Sequence, residues 1–482
     1  MQTLPEAAIV DNPLFRALVN QVSALSRHLS GPNARFANVE AGALQIANLA
    51  VREHLRRDLQ RRSDALEPEL RVNERHVRQH EEGSVTYHSL IGPLEVRRFT
   101  YREVGVRNGP TVVPLELVAG LVEGATPALG YSVTLGYAQG ELRSYLESME
   151  AAHRAPPSRS TLERMAKEIG SQAQQAAPRI EKYLRQSELV PEEARAASIG
   201  LDRVATPMEE DREEGVPPKT PRKNRTKPYV RAKPTPIDVN YRMAYVGTFS
   251  LWDADAEELV TRRYTALPEE GPADVVRRMM LDLRNARRQQ PSLKVGVVQD
   301  AADELWNAVI AGLEEEKIDS WEETIDRWHL NERLGKVLRI VERNADAREK
   351  RLTEWNDRLD ASDRAIDEIL GWLGGEQLAR VEKTRSAEVV DEYLGHIVYL
   401  ENNAHRMTYH STRKKGLPVG SGLTEGACKS VVGQRACGSG QRWRPPGIAA
   451  ALTLRAIHRS ERLPGFWSHL SRRYTAEIRR AA

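Results

Sequence analysis

The sequence predicts an α/β core interrupted by a helical insertion and preceded by a mostly α-helical N-terminal region with a β-hairpin. Three observations carry this expectation. The apolar runs Ala197–Leu201, Met243–Leu251, Leu259–Leu267 and Leu293–Gln299, separated by polar stretches, read as strands. Between the third and fourth, Val275, Val276, Met279, Met280 and Leu283 recur at helical spacing from Pro272 to about Gln289. After one more possible strand near Ile325, strand chemistry stops. From about Asn331 to His410, Leu334, Val337, Leu338, Val341, Leu352, Trp355, Leu359, Ile366, Ile369 and Leu373 recur as core positions of a long helical block, and a further helix follows around Glu425.

At 482 residues the chain is long enough for about three domains, since single cores rarely exceed about 250–300 residues. No apolar run is long enough to span a membrane. Met1-Gln-Thr-Leu-Pro-Glu6 lacks the basic-then-apolar pattern of a secretion signal, so the expected location is the cytoplasm, associated with the nucleoid. Cys428 and Cys437 are the only cysteines. They imply no disulfide framework, and with His405 and His410 they match no common zinc spacing.

In order along the chain, residues 1–80 read as helical, with Leu14, Leu18, Val22, Leu25 and Leu29 forming a face expected to pack in a bundle. The arginine-rich stretch from Arg52 to Arg62 falls in the same region. Residues 81–190 read as a hairpin, Val85–Leu90 and Leu94–Tyr101 joined at Gly92-Pro93, followed by helices. There, His153-Arg-Ala-Pro-Pro157 breaks the pattern and a capping box, Ser160 with Glu163, restarts it. This resembles a helix-turn-helix, in which Arg159, Arg164 and Lys167 could meet DNA, although two-helix packing without DNA has the same spacing. Residues 191–330 form the first part of the core, with a mobile basic linker at 203–238. Residues 331–410 form the insertion, and 411–482 the second part of the core and a basic tail.

Charge is distributed unevenly. From His405 onward there are fifteen Lys and Arg against three Asp and Glu, a net of +12, whereas the whole chain is only +3, so everything before sums to −9. Clustered positive charge favours a polyanion by counterion release.

Asp202 and Asp300 each follow an apolar strand, where an open sheet gathers ligands, and Glu425 opens a distant helix. If the two strands are neighbours, the aspartates lie a few ångströms apart and repel, and hard divalent cations are the natural compensation. Three carboxylates can hold two Mg²⁺ for an in-line displacement at phosphorus.

Ile199-Gly-Leu-Asp202, Val297-Val-Gln-Asp300 and Gly416-Leu-Pro-Val-Gly-Ser-Gly-Leu-Thr-Glu425-Gly-Ala-Cys-Lys429 resemble the signature blocks of bacterial insertion-sequence DDE transposases. Ile325-Asp-Arg-Trp-His-Leu330 is similar to the block after their second Asp, and Gln434-Arg-Ala-Cys-Gly-Ser-Gly-Gln-Arg-Trp443 to the block after their Glu. The resemblance covers about residues 85–470. It implies a ribonuclease-H-like catalytic core in which Asp202, Asp300 and Glu425 bind two Mg²⁺, with Mn²⁺ as an alternative. It also implies double-stranded DNA as partner, both transposon ends and target, and a homodimer or higher oligomer on that DNA. Lys429, one turn after Glu425, could neutralise a phosphate, and Arg413, Lys414, Lys415, Arg435 and Arg442 could contact the DNA backbone. The rival expectations are a structure-selective nuclease of the same fold and a catalytically inactive DNA-binding regulator. Unlike many related chains, this one has no cysteines flanking the early hairpin, so zinc-supported DNA contact is not expected there.

Overall fold

The computed structural model describes residues 5–31, 34–212, 237–474 and 478–480. The basic run from Lys219 to Lys233, and with it most of the linker expected to be mobile, lies outside them. The chain forms two compact units, Met1–Ala176 with Leu463–Ala482, and Ala177–Arg462. Among the described residues no helix is long and apolar enough to cross a membrane.

The first unit opens with helices Glu6–Val10, Pro13–Ser30 and Phe36–Asp64. The helical region therefore ends before residue 80, and β1 (Glu69–Val72) and β2 (Arg75–Ser89) follow. Leu70, Val72 and Val77 alternate inward among charged residues, and Asn73 and Glu74 form a two-residue turn with positive φ. Polar composition hid this hairpin. The expected second hairpin is present, with β2 continuing into β3 (Gly92–Glu103) through paired register from Val77↔Glu103 to Ser89↔Gly92. A terminal strand, Ile478–Arg480, pairs with β1.

Other expectations for this unit need correction. Leu14, Leu18, Leu25 and Leu29 are exposed, so the face expected to pack in a bundle is not buried. Arg56 and Arg57 pair with Glu53 at 2.8 and 2.7 Å, and Arg62 with Asp58 at 2.7 Å, along one side of the Arg52–Arg62 stretch, while its Leu55 and Leu59 pack into a core with Tyr87 and Leu94. The helix-break-helix is real, Leu142–Ala151 and then Arg159–Gln175, but its cap is Ser158, whose Oγ accepts from the Thr161 amide at 3.4 Å. Pro156 and Pro157 hold the chain extended up to that residue. Residues from Leu463 onward group with this unit and not with the core. Phe466 and Trp467 bury themselves here, the latter edge-on to Tyr131 at 6.0 Å.

The second unit is mixed α/β. Its sheet consists of β4 (Ala196–Asp211), β5 (Ile237–Trp252), β6 (Glu258–Ala266), β7 (Lys294–Gln299) and β8 (Glu322–Ile325), in the order β6-β5-β4-β7-β8. The first three are antiparallel neighbours; β7 runs parallel to β4, and β8 parallel to β7. Helix Gly271–Gln289 connects β6 to β7 and buries Val275, Val276, Met279, Met280 and Leu283, as its spacing predicts. Helix Asp303–Glu315 connects β7 to β8.

The helical block begins at Arg327, a turn earlier than expected, because Asp326 caps it by accepting from the His329 amide at 3.0 Å. Its predicted apolar positions join the core that also holds Ile199, Phe249 and Val297; only Leu352 is partly exposed.

Candidate metal centre

Backbone register brings the first two acids together. β4 and β7 pair in parallel from Ala196↔Lys294 to Ile199↔Val297, and the same offset carried three residues further sets Asp202 beside Asp300. Neighbouring strands lie about 4.8 Å apart. Asp202 does not end its own strand, contrary to the expectation from sequence, since β4 runs on to Asp211, paired with β5 and bridged at Met208 to Trp443. What ends here is its parallel neighbour. Loss of pairing on that side opens the crevice that the sequence argument needed. Each aspartate also accepts from the next backbone amide, Asp202 from Arg203 and Asp300 from Ala301, both at 2.7 Å, which fixes the direction of its carboxylate.

The third acid arrives on helix Gly422–Ala427, where Glu425 sits in the first turn, the end at which a negative side chain is favoured. Gly200, two residues before Asp202, lets this helix approach. A Cβ there would stand 2.1 Å from Thr424 Oγ1, and the Thr424 hydroxyl shares a 2.7 Å hydrogen bond with Thr248 on β5. The loop before the helix is anchored as well. Asp326, buried at the end of β8, accepts from the Ser421 amide, and the Arg327 amide donates to the Val419 carbonyl at 3.0 Å.

The result is one cavity of about 270 Å³ lined by Asp202, Gln299, Asp300, Trp328, His329, Glu425, Cys428 and Lys429, among others. All three sequence-predicted acids face it. Oxygens of Asp326 and Glu425 and a ring nitrogen of His329 lie within 4.8 Å of one another, a spacing that suits a cation. Sequence reasoning assigned Asp326 no role. Its signal was available in Asp-Arg-Trp-His, where an aspartate ending one strand and capping the next helix puts a histidine on the same turn.

Local electrostatics follow from this convergence. Burial alone would raise the Asp326 carboxyl, but hydrogen bonds from Ser421 and the His329 amide outweigh it and hold the group below the usual aspartate value. His329 Nδ1 lies 3.3 Å from Asp326 Oδ1 without hydrogen-bond alignment. Cys428 Sγ lies 3.4 Å from Asp202 Oδ2, and burial followed by the Asp202 and Glu425 carboxylates pushes its thiol well up. Burial, with Asp300 and Asp326 adding to it, pushes Tyr399 up to about 12. Gln299 is buried beside the cavity, and neither its Nε2 nor its Oε1 has a hydrogen-bond partner.

Of the predicted cations, Lys429 pairs with Glu425 at 3.4 Å on a chain that widens into a π-turn over Cys428–Gly433. Arg413 pairs with Asp360 at 3.1 Å, and Lys415 with Glu322. Lys414 and Arg442 are exposed. Arg435 is not placed for backbone contact with DNA: it is buried, with its guanidinium 4.7 Å from the Trp443 ring centroid. In the first unit Arg159, Arg164 and Lys167 are exposed, and Lys167 pairs with Glu163 at 2.7 Å.

A scan of family models gives no match to this chain, and a search of curated proteins gives no similar sequence.

Proposed function

We propose that this chain is a DDE-type DNA transposase that cleaves transposon ends and joins them to target DNA, on a ribonuclease-H-like core. The observation that carries the reading is the convergence of Asp202, Asp300 and Glu425 on one cavity, from a first strand, the end of its parallel neighbour and a distant helix. The sheet order, three antiparallel strands extended on the other side by two parallel ones, supports the core assignment.

The donor set fits hard divalent cations. Carboxylate oxygens dominate it, and the unpartnered Gln299 amide indicates a polar site whose hydrogen bonds are not completed by protein alone. Asp202, Asp300 and Glu425 would hold two Mg²⁺, or Mn²⁺, with Asp326 and His329 beside Glu425. Bound there, such ions activate an attacking oxygen and stabilise the leaving one. The chain's own residues do the rest. The amides of Arg203 and Ala301 hold the aspartates in position, and Gly200 and Thr424 set the height of Glu425 above the sheet. Lys429 neutralises Glu425 and is exposed enough to turn to a phosphate instead. In the proposed reaction water, and then the freed 3′ hydroxyl, would attack the phosphodiester directly, with no covalent enzyme intermediate. Two ends brought together imply at least two copies on DNA.

The test uses plasmid DNA carrying the sequences that flank the gene, together with pre-cleaved ends and a target plasmid. Asp300→Asn should lose metal-dependent cleavage by more than about a hundredfold while DNA binding persists. Unchanged cleavage in Asp300→Asn would refute the metal mechanism, and DNA binding with no cleavage by the parent chain would favour a regulator. Cleavage without joined product would leave a nuclease.

A further inference from the structure

Gln299 is the last residue of β7, directly before Asp300, and it interrupts an apolar pattern. Val295 and Val297 share its face of the strand and pack into the core together with Leu201 on β4. A leucine at 299 would extend that face and leave nothing unpaired. The main chain at Gln299 is fixed, since its carbonyl accepts from the Asp326 amide at 3.1 Å as β7 and β8 end together.

The side chain is 1% exposed and lines the cavity of Asp202, Asp300 and Glu425. Among the described residues neither its Nε2 nor its Oε1 has a hydrogen-bond partner. An amide buried with both atoms idle costs folding free energy that an apolar side chain of similar size does not. With neither atom engaged, it can turn its oxygen to the cavity without breaking a bond.

The charge of the cavity decides what that oxygen meets. Three carboxylates repel a phosphate until cations stand among them, so a cation is the first charged group that can reach Gln299. An amide carbonyl is a hard oxygen ligand for such ions, and it carries no charge. We propose that Gln299 Oε1 is an uncharged ligand for the divalent cation held by Asp300. The inference rests on the metal-dependent reading above and adds a donor to its three acids. A neutral donor also suits the reaction. Two divalent ions against three carboxylates retain an excess of positive charge for the phosphodiester, and a fourth carboxylate would cancel it.

The experiment titrates Mn²⁺ into the full chain without DNA and follows the free ion by electron paramagnetic resonance, with melting curves taken in the absence of metal. Gln299→Leu should bind Mn²⁺ about 10- to 100-fold more weakly than the parent, yet melt no lower, because it removes an unpaired buried amide. Gln299→Glu should bind Mn²⁺ at least as tightly as the parent and cleave plasmid DNA more slowly when Mn²⁺ saturates. Unchanged Mn²⁺ affinity in Gln299→Leu, or Gln299→Glu binding as weakly as Gln299→Leu, overturns the proposal. Asp300→Asn separates this inference from the reading beneath it. Loss of cleavage in Asp300→Asn, alongside unchanged Mn²⁺ affinity in Gln299→Leu, would remove the amide ligand and keep the metal mechanism. A parent chain that binds no Mn²⁺ would remove both.

Discussion

Gly200 tests how the third acid is brought to the first two. It shares a face of β4 with Asp202, and the helix bearing Glu425 rests directly on it. A methyl group at this position would stand 2.1 Å from Thr424 Oγ1, 3.1 Å from Thr248 Oγ1 and 3.2 Å from Thr424 Cβ, whereas ordinary contact begins at 3.4 Å. Relief requires about 1.3 Å of movement. Thr424 is buried and tied to Thr248 at 2.7 Å, so its hydroxyl has little room to turn, and the helix itself should retreat. Overpacking of this kind costs about 1–3 kcal/mol. Displacing Glu425 by about 1 Å should cost about a hundredfold in rate. Gly200→Ala should therefore lower both the melting temperature and Mg²⁺-dependent cleavage of plasmid DNA. Thr424→Ala removes the obstructing hydroxyl and, alone, should cost only about 1 kcal/mol for the lost hydrogen bond. The double variant should regain most of the activity lost in Gly200→Ala, giving a coupling that measures the clash. Full activity in Gly200→Ala, or no rescue by Thr424→Ala, would refute this account of how Glu425 is placed.

Two further outcomes follow from the same geometry. Because the Asp326 carboxyl is held below its ordinary value, the folded chain binds that proton less readily than the unfolded chain. Its stabilisation is fully present above the unfolded value of about 3.9 and is lost as pH falls through the depressed folded value. Asp326→Asn should be less stable than the parent at neutral pH, with the gap closing below about pH 4, as measured by denaturant titration at each pH. A gap that stays constant with pH would show that the ionised form is not what is bound. Arg435→Ala should lower stability by about 1–3 kcal/mol, through loss of a buried guanidinium, with little change in the salt dependence of DNA binding. The exposed Arg442→Ala should instead reduce the slope of log affinity against log salt by about one without altering the melting curve.

The strands that could be read from sequence were those with continuous apolar runs, such as Val295–Val298 in β7, because burial on both faces leaves no polar residue to confuse the pattern. β1 escaped notice because only Leu70 and Val72 turn inward among arginines and glutamates, and alternation over four residues is a weak signal. Asp202 was recognised for a reason that the structure corrects: the apolar run stops there, but the strand does not. The end of burial marks where β7 stops pairing, information that belongs to the neighbour and not to β4. Arg435 was misjudged for a related reason. Arginine reads as a surface residue, and only the fold shows that Trp443, eight residues on, returns to cover it. Asp326 lay in a quoted motif, yet its burial and its bond to Ser421 join segments ninety-five residues apart, a separation that no local pattern encodes.

Charge in the cavity also bears on the choice between a catalyst and a regulator. Among its lining residues Asp202, Asp300 and Glu425 are acidic and only Lys429 is a permanent cation, while the carboxyl of Asp326 lies close behind His329. A protein that only gripped DNA would gain nothing by turning three carboxylates toward a phosphate backbone, since each repels it and they repel one another. The amide hydrogen bonds from Arg203 and Ala301 hold the first two in place, so they do not simply turn away from one another. On the reading proposed above, multivalent cations between acids and phosphate would make the arrangement favourable, and such a layer is what phosphodiester chemistry uses. Lys429, salt-bridged to Glu425 and otherwise exposed, compensates one charge of three and leaves the remainder for added cations.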